Sequence, residues 1–312
     1  MTFFCEEGVL MKMLDHRAIV KAYGFGGEAS LIPAEQLSQA FIVEEYLSGG
    51  TLLELLESTA AHKAVSYTLA DAFRWMVDAA DAIHYLHSMQ PGMVIHRDIK
   101  PDNMLLDHRT PGQAKVKLTD FGLHRVIARK TGMPSSILER DILSADTNRG
   151  AICANATGES YKLTGGTGSV MYMAPEVMQK VCYNEKVDVF AFAVVMYEMF
   201  SGILLRNLYI SDKDKSCAYR RYATRVNSGW RPPMPVEWPD GLRDLIADCW
   251  SQQPECRPPM QEVLQRLQAL QKTLLTSRGN WSSRLKNSSS GHTSNGIPSF
   301  FLSAMERFCC LR

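Results

Sequence analysis

The sequence predicts an α+β protein whose first half contains short strands and whose second half is mainly helical. The 312 residues are 46% hydrophobic, which is enough to bury a large core as one domain or as two lobes. Short apolar runs bounded by turn residues recur in the first half of the chain. A helix-rich block then extends from about Tyr161 to about Leu274.

The chain opens with a predicted helix over residues 1–14, MTFFCEEGVLMKML, because its apolar residues fall near helical spacing. The segments IVKAYGFGGEAS and QAFIVEEYL then predict two strands joined by a polar loop. The first of these segments contains Gly24, Gly26 and Gly27. Since no helix opens directly behind these glycines, we interpret them as a turn and not as a phosphate-binding loop.

A capping signal marks a long predicted helix after these strands. Thr68 and Asp71 have the spacing of a capping box, and apolar residues recur at helical spacing as far as Leu86. Short strands are predicted at VIH, MLL and KVKL. The chain is polar and aperiodic from about Lys130 to Tyr161, and the Ser-rich, basic stretch SRGNWSSRLKNSSSGHTSNGIPS has the composition of a disordered tail.

The apolar run Val189–Leu205 resembles a membrane segment at first sight. It is shorter than the roughly 20 residues that a spanning helix needs, and Glu198, Ser201 and Gly202 interrupt it. We therefore predict a helix buried in the protein core and no transmembrane segment. The first ten residues contain two acids and no basic segment, so they do not predict a secretory signal.

Charge and cysteine content exclude some classes of partner and compartment. The chain has 34 basic and 33 acidic residues, so no global field favours binding to nucleic acid or to a membrane surface. The eight cysteines show neither CxxC spacing nor a dense framework. This usage favours a reducing compartment, the cytosol or the nucleus, and of these we predict a cytoplasmic location.

Two segments contain the residues that are typical of phosphoryl-transfer chemistry. These are VIHRDIKPDNMLL and KVKLTDFG, in which polar residues follow short apolar strands. They supply two carboxylates, Asp98 and Asp120, together with the amide of Asn103 and the amine of Lys100. Hard oxygen ligands hold Mg²⁺, and a lysine neutralises a phosphoryl group, so this set suits a polyphosphate with magnesium.

The pattern H-R-D-x-x-x-x-N followed by D-F-G resembles the catalytic and metal-binding loops of eukaryotic protein kinases. The segments SVMYMAPEV, KVDVFAFAVVMYEMFSG and CWSQQPECRPPM resemble later parts of the same domain, and the CW…RP pattern is similar to the tyrosine-kinase-like group of Ser/Thr kinases. The resemblance implies a two-lobed kinase domain over residues 1–274. Its expected parts are a partial first lobe and hinge over 1–47, a second lobe over 48–274 with an activation-segment insertion at about 130–160, and a tail over 275–312.

The resemblance also implies a role for each catalytic residue, with ATP and Mg²⁺ as cofactors. Asp98 would orient the substrate hydroxyl and accept its proton, and Lys100 would steady the γ-phosphoryl group. Asn103 and Asp120 would hold magnesium. Glu7 would be the helix glutamate that pairs with a strand lysine in this family. Because Lys100 follows Asp98 closely and the loop lacks Arg-Ala-Ala, we expect protein substrates with Ser or Thr acceptors.

The segment VEEYLSGGTL resembles the hinge between the two kinase lobes. Backbone groups of Glu45 and Leu47 would then face the adenine. Glu44 would take the gatekeeper position, where the family usually has an uncharged residue. A carboxylate at that position must find a hydrogen-bond donor or remain in water.

Other positions have implied regulatory or structural roles. Arg97 suggests control by a phosphorylated activation loop, since an arginine pairs well with phosphate, either after action of an upstream kinase or after autophosphorylation in trans. Thr164 and Thr167 are the candidate phosphorylation sites, and Ser169 would help to seat the substrate. The family also implies that Asp188 holds the backbone of the catalytic loop, that Glu176 pairs with Arg257 in a buried ion pair, and that His96 and Phe121 are packing residues.

Two interpretations of the start of the chain remain open at this point. The family's glycine-rich loop and strand lysine lie upstream of the first helix, and only six residues precede Glu7. The written sequence is then expected to be either a truncated Ser/Thr kinase or an inactive kinase-like binding or scaffold protein that starts at Met1. We expect little or no phosphotransfer from this exact chain. At the other end, Cys309 and Cys310 are candidate palmitoylation sites, although a frayed tail is the favoured interpretation.

Overall fold

The computed structural model begins with a helix and two paired strands. It describes residues 2–26, 41–62, 67–128, 169–210 and 215–276. Helix α1 (Thr2–Met13) precedes strand β1 (Ala22–Gly26), which pairs antiparallel with β2 (Phe41–Glu44). In this pair Ala22 lies opposite Glu44 and Gly26 lies opposite Phe41. We call residues 2–26 and 41–46 the N-terminal unit.

Helices dominate the chain after this unit. The remaining elements are α2 (Leu52–His62), α3 (Leu69–Ser88), β3 (Gly92–Ile95), β4 (Met104–Leu106), β5 (Val116–Leu118), β6 (Arg125–Ala128), α4 (Pro175–Met178), α5 (Lys186–Ser201), α6 (Leu205–Tyr209), α7 (Lys215–Asn227), α8 (Asp240–Cys249) and α9 (Met260–Thr276). Short 3₁₀ turns cover Pro101–Asn103, Ser169–Tyr172 and Pro254–Cys256. We call residues 69–276, as far as they are described, the helical region.

Helix α3 begins at the capping box that the sequence predicts. The Thr68 hydroxyl accepts a hydrogen bond from the backbone N–H of Asp71, and the Asp71 carboxylate accepts one from the backbone N–H of Thr68. These two bonds satisfy N–H groups that a helix start otherwise leaves without a partner. The apolar face of α3 is deeply buried, and the helix packs against α5 and α9.

Two small antiparallel ribbons place the functional loops beside α3. Strand β3 pairs with β6, with Ile95 opposite Arg125, and β4 pairs with β5, with Met104 opposite Leu118. A bridge between Ile19 and Leu118 ties the N-terminal unit to the second ribbon. The loops that follow β3 and β5 are therefore held at neighbouring positions.

The centre of the core is helix α5, whose residues from Val187 to Ser201 are all buried. A helix that is apolar on all sides must be surrounded by protein, and α5 packs against α3, α8 and the turn at Ser169–Tyr172. It ends at Gly202, which adopts the left-handed conformation that favours glycine, with φ of 67°. The predicted buried helix is therefore confirmed.

The structure confirms the mixed architecture and the first helix, and it corrects two details. Gly24 and Gly26 lie inside strand β1, so the predicted turn at these positions is wrong. Strand β6 was not predicted, because its sequence RVIA is short and borders a polar segment. No helix among the described ranges is long and apolar enough to cross a membrane. The predicted insertion at about 130–160 and the tail lie outside the described residues.

Candidate active site

The loop after β3 brings three of the predicted catalytic side chains together. The carboxylate of Asp98 accepts hydrogen bonds from Lys100 Nζ at 2.5 Å and from Asn103 Nδ2 at 3.0 Å. Asn103 Nδ2 also donates to the backbone oxygen of Asp98 at 2.9 Å. Because Asn103 makes both of these hydrogen bonds to Asp98 through its side-chain nitrogen, its amide oxygen remains available to a ligand.

Two buried side chains fix the backbone of this loop. The carboxylate of Asp188 in α5 accepts hydrogen bonds from the backbone N–H of His96 at 2.9 Å and of Arg97 at 2.8 Å. His87 Nε2 lies 2.9 Å from the same carboxylate. Arg97 adopts a left-handed backbone conformation with φ of 70°, which these bonds stabilise.

The charge of Asp188 suits this role. Burial raises the pKa of Asp188, but the hydrogen bond and charge of His87, the charge of His96 and the N–H of Arg97 outweigh burial, so the net pKa is lowered. The carboxylate thus remains ionised in the core. Although Asp188 is only 1% exposed, it accepts three hydrogen bonds, which offset the cost of burying its charge.

The segment after β5 holds Asp120 beside the catalytic loop. The backbone N–H of Thr119 donates to the backbone oxygen of Asn103 at 3.0 Å, and His96 Nε2 lies 3.1 Å from the backbone oxygen of Thr119. The rings of His96 and Phe121 pack at 4.9 Å between centroids. Asp120 itself is exposed and has φ of 64°, a strained value for a non-glycine residue. The two predicted metal-binding residues therefore lie on segments that are hydrogen-bonded to each other.

The donor set fits magnesium bound to a polyphosphate. Within the described ranges, no three His, Cys, Asp or Glu side chains form a metal-binding group by themselves. Mg²⁺ is usually bound by one or two carboxylates, with substrate phosphates and water completing its octahedral shell. The carboxylate of Asp120 and the amide oxygen of Asn103 are the oxygen ligands that such a site needs.

A group of carboxylates lies on the other side of Asp120. Desolvation raises the pKa of Glu7, the charges of Asp120 and Glu44 raise it further, and the nearby backbone N–H of Phe121 partly offsets this. Desolvation also raises the pKa of Glu44, followed by the charges of Asp120 and Glu45. No lysine contributes to the environment of Glu7 among the residues that the structure describes. In the family a strand lysine meets this glutamate. The sequence predicts no such contact for this chain, and the charged neighbours of Glu7 among the described residues are acidic.

The hinge segment uses Glu45 as a structural anchor. Its backbone N–H donates to the oxygen of Lys21 at 2.9 Å, and its carboxylate accepts hydrogen bonds from Lys21 N at 2.8 Å and Lys117 Nζ at 2.5 Å. These bonds use the backbone N–H and the carboxylate of Glu45, and its backbone carbonyl accepts no hydrogen bond among the described residues. Leu47 follows β2 in a segment without regular secondary structure and precedes α2.

A comparison with family models gives one decisive match. Residues 2–267 match the model of the protein kinase domain. The chain belongs to the protein kinase family. The match spans most of the chain and includes every catalytic segment described above.

Curated kinases show the same similarity. The chain is 31% identical over 261 residues to mitogen-activated protein kinase kinase kinase 7 of Homo sapiens, which covers 84% of this chain and 34% of that protein. It is 32% identical over 275 residues to serine/threonine-protein kinase VIK of Arabidopsis thaliana, covering 87% and 51%. Serine/threonine-protein kinase 12 of the same plant is 30% identical over 267 residues, covering 86% and 47%. The chain thus spans about a third to a half of these relatives, which agree with the expected tyrosine-kinase-like group.

Residues 169–178, which we call the docking segment after the part of the kinase domain that they resemble, pack on α5 through the turn at Ser169–Tyr172. Glu176 in α4 forms a bidentate ion pair with Arg257, with distances of 2.6 Å and 2.9 Å, and Arg257 is only 1% exposed. Arg257 also donates to the backbone oxygens of Ser251 and Lys186.

Ser169 begins the 3₁₀ turn of this segment, but its side chain lies outside the described part of the chain, as do Thr164 and Thr167. The guanidinium of Arg97 lies 5.7 Å from the ring centroid of Tyr183.

Sequence reasoning missed a second polar contact of the docking segment, which joins it to α5. The buried carboxylate of Glu198 accepts hydrogen bonds from the Tyr172 hydroxyl at 2.8 Å and the Leu205 backbone N–H at 2.8 Å. Burial raises the pKa of Glu198 to about 7, and these two donors and Arg206 only partly offset it. The signal was present in the sequence, because an acid inside an apolar helix needs a buried partner.

Proposed function

We propose that the chain is the catalytic domain of an ATP-dependent protein serine/threonine kinase. The observation that supports this most directly is the joint placement of Asp98, Lys100 and Asn103, hydrogen-bonded to one another on a loop that is tied to the segment of Asp120. Phosphoryl transfer needs little covalent help from a protein, so positioned charges of this kind account for most of the catalysis.

Each residue has a distinct role in this proposal. The Asp98 carboxylate orients the hydroxyl of the substrate and accepts its proton. Lys100, which lies beside Asp98, neutralises charge on the γ-phosphoryl group during transfer. Asn103 and Asp120 hold magnesium through their oxygens. Bound magnesium supplies charge neutralisation between the β- and γ-phosphates of ATP.

The hinge and the docking segment complete the substrate sites of the proposal. The carbonyl of Glu45 and the backbone N–H of Leu47 face the adenine, with Glu44 beside the pocket. Residues 169–178 seat the protein substrate, and Glu176, Arg257 and Asp188 hold that segment and the catalytic loop in place. The curated relatives named as serine/threonine kinases support Ser and Thr as the acceptors.

Regulation by phosphorylation and a cytoplasmic location are also part of the proposal. Arg97 would pair with a phosphate on Thr164 or Thr167, added by an upstream kinase or in trans by a second copy. A cytoplasmic location rests on cysteine usage. Among the described cysteines, the free thiols Cys217, Cys249 and Cys256 agree with this location, whereas the disulfide of Cys182 argues against it.

A kinase-like binding protein is the second candidate. The observation that favours it is the group formed by Glu7, Glu44 and Asp120, in which burial and then the charge of Asp120 raise the pKa of both glutamates, and no lysine takes part among the described residues. Such a group repels the phosphates of a nucleotide unless a cation neutralises it. A protein of this class would bind partners through the helical region without transferring phosphate.

Phosphotransfer assays with Asp98→Asn distinguish the two candidates. The full chain is incubated with labelled ATP, Mg²⁺ and a mixture of Ser-, Thr- and Tyr-containing peptides. If the proposal is correct, labelling by this chain is weak, as expected from the sequence, and falls on Ser and Thr peptides. Asp98→Asn then lowers kcat by about 100-fold or more, because it removes the proton acceptor. Asp102→Asn is the matched control, since Asp102 lies in the same loop and is exposed.

The outcomes separate the candidates clearly. Equal activity in wild type and Asp98→Asn would contradict the catalytic role of Asp98. Failure of the full chain to bind Mg-ATP, with intact folding by circular dichroism, would favour the binding protein. Labelling of Tyr peptides alone would overturn the predicted acceptor class.

A further inference from the structure

Helix α7 has a surface whose charge the proposed function does not use. Its sequence, KSCAYRRYATRVN, contains four cations and no acid. The helix buries Ala218, Tyr222 and Val226. Its exposed side is formed by Arg220, Arg221, Thr224 and Arg225. We call the three arginines of this side the arginine face.

The arginine face is unfavourable for the helix itself. Arg221 and Arg225 are four residues apart, and like charges at this spacing destabilise a helix. No acidic side chain forms an ion pair with Arg220, Arg221 or Arg225 among the described residues. An exposed helix that serves only solubility usually mixes both signs of charge. Three arginines without an acid therefore indicate a surface for an anionic partner.

One member of the arginine face is held in position by aromatic rings. The guanidinium of Arg225 lies 3.9 Å from the ring centroid of Trp230 and 5.7 Å from that of Tyr209. Stacking on a ring leaves the edge of a guanidinium free for hydrogen bonds and reduces the entropy lost when it binds an anion. Arg225 is thus preorganised and exposed at the same time.

The position of α7 connects this surface with the docking segment. The helix packs against the 3₁₀ turn at Ser169–Tyr172 and against α4. The hydroxyl of Tyr222 donates to the oxygen of Met171 at 3.4 Å. A polypeptide seated on residues 169–178 would therefore continue over or beside α7.

We propose that the arginine face binds an Asp- and Glu-rich segment of the protein substrate. That the partner is a protein substrate rests on the proposed function. That the bound segment is acidic rests on the charge and the position of α7. The planar, bidentate donors of arginine match carboxylates. The acidic segment adds affinity and orientation to the weak contacts around the reacting hydroxyl, so this surface selects among Ser/Thr substrates.

The test measures binding and phosphotransfer separately. Fluorescence anisotropy with the full chain compares a peptide that carries a serine next to a run of Asp and Glu with the same peptide bearing Asn and Gln. The variant R220E/R221E should weaken binding of the acidic peptide by about tenfold at low salt, with little change for the neutral peptide. The control K12E/K115E makes the same charge change at exposed lysines elsewhere and should alter binding less than about twofold.

A milder variant protects the test against misfolding. Arg225→Lys keeps the charge and loses the planar fork, and it should weaken binding of the acidic peptide without changing the melting temperature. Equal losses in R220E/R221E and K12E/K115E would overturn the inference, because only net charge would then matter. Binding of a phosphoserine peptide but not of the acidic peptide would also overturn it.

The kinase proposal and the docking inference can fail separately. If the acidic peptide binds at the arginines but labelling is the same in wild type and in Asp98→Asn, the docking surface stands and the kinase proposal falls. If the chain phosphorylates acidic and neutral peptides with the same kcat/KM, and R220E/R221E changes neither, the kinase proposal stands and the docking inference is overturned.

Discussion

The N-terminal unit and the helical region bury their side chains to very different extents. Nine large hydrophobic side chains are exposed in the described chain, and seven of them lie between Val9 and Tyr46. The helical region, which is several times longer, exposes only Val181 and Val236. Stability therefore comes mainly from the helical region, since burial of apolar area is the dominant favourable contribution to folding.

The two regions also differ in whether their acidic and basic side chains have hydrogen-bonding partners. In the helical region, each buried charge of Asp188, Glu198 and Arg257 has hydrogen-bonding partners within 3.0 Å. In the N-terminal unit, Glu7 and Glu44 instead share their surroundings with Asp120. The catalytic loop is anchored to α5 through Asp188, so its geometry depends on the helical region.

The largest predicted effect tests whether buried ion pairs stabilise the helical region. Arg257→Ala leaves Glu176 buried without its cation and should lower the free energy of unfolding by about 3–5 kcal/mol. Arg266→Ala is the matched control, because Arg266 pairs with Asp248 at 2.8 Å on the surface and should cost less than about 1 kcal/mol. Urea unfolding followed by tryptophan fluorescence measures both.

Similar losses in the two variants would contradict this contrast. A loss for Arg257→Ala below about 1 kcal/mol would mean that water reaches Glu176 and replaces the guanidinium. In that case the docking segment would be less rigid than its contacts indicate.

The second prediction concerns the pH dependence of stability through Glu198. Burial raises its pKa from 4.5 to about 7, so the folded state keeps the proton to a higher pH than the unfolded state. The contribution of Glu198 is then most favourable below pH 4.5 and decreases as the pH rises to about 7, by up to about 3 kcal/mol. Above that pH its contribution is constant.

The variant Glu198→Gln should remove this slope. Unfolding free energies measured from about pH 4.5 to pH 7.5 should therefore diverge between wild type and variant, with wild type losing relative stability as the pH rises. Glu255→Gln, at an exposed position, serves as control and should run parallel to wild type. Parallel curves for Glu198→Gln and wild type would show that the carboxylate is ionised throughout and fully compensated by its donors.

The sequence predicted much of the helical region because local patterns and tertiary structure agree there. The capping box at Thr68 and the apolar run around Val195 each predicted the correct helix. The catalytic segments could be located because their residue types and spacing are specific to one chemistry. The roles assigned to them remain predictions that the proposed assays test.

Other features depend on contacts that no local pattern encodes. Strand β6 forms because β3 offers it an edge, and Gly24 and Gly26 join a strand because β2 lies beside them. The bonds of Glu198 to Tyr172 and of Glu45 to Lys117 join positions that are far apart in sequence. Single-sequence reasoning can identify the charged residue that needs a partner, but it cannot name the partner.

The smallest predicted effect is that of Phe41→Ala in the N-terminal unit, which is compared with the same substitution in the helical region. Phe41 is 56% exposed and its ring lies over Gly26, whereas Phe192 is fully buried in α5. Phe41→Ala should cost less than about 1 kcal/mol, and Phe192→Ala should cost about 3–5 kcal/mol because it leaves a cavity. Thermal and urea unfolding of the full chain measure the two losses. A cost for Phe41→Ala near that of Phe192→Ala would mean that Phe41 is covered in the full chain in solution, and the contrast in burial between the two regions would then no longer hold.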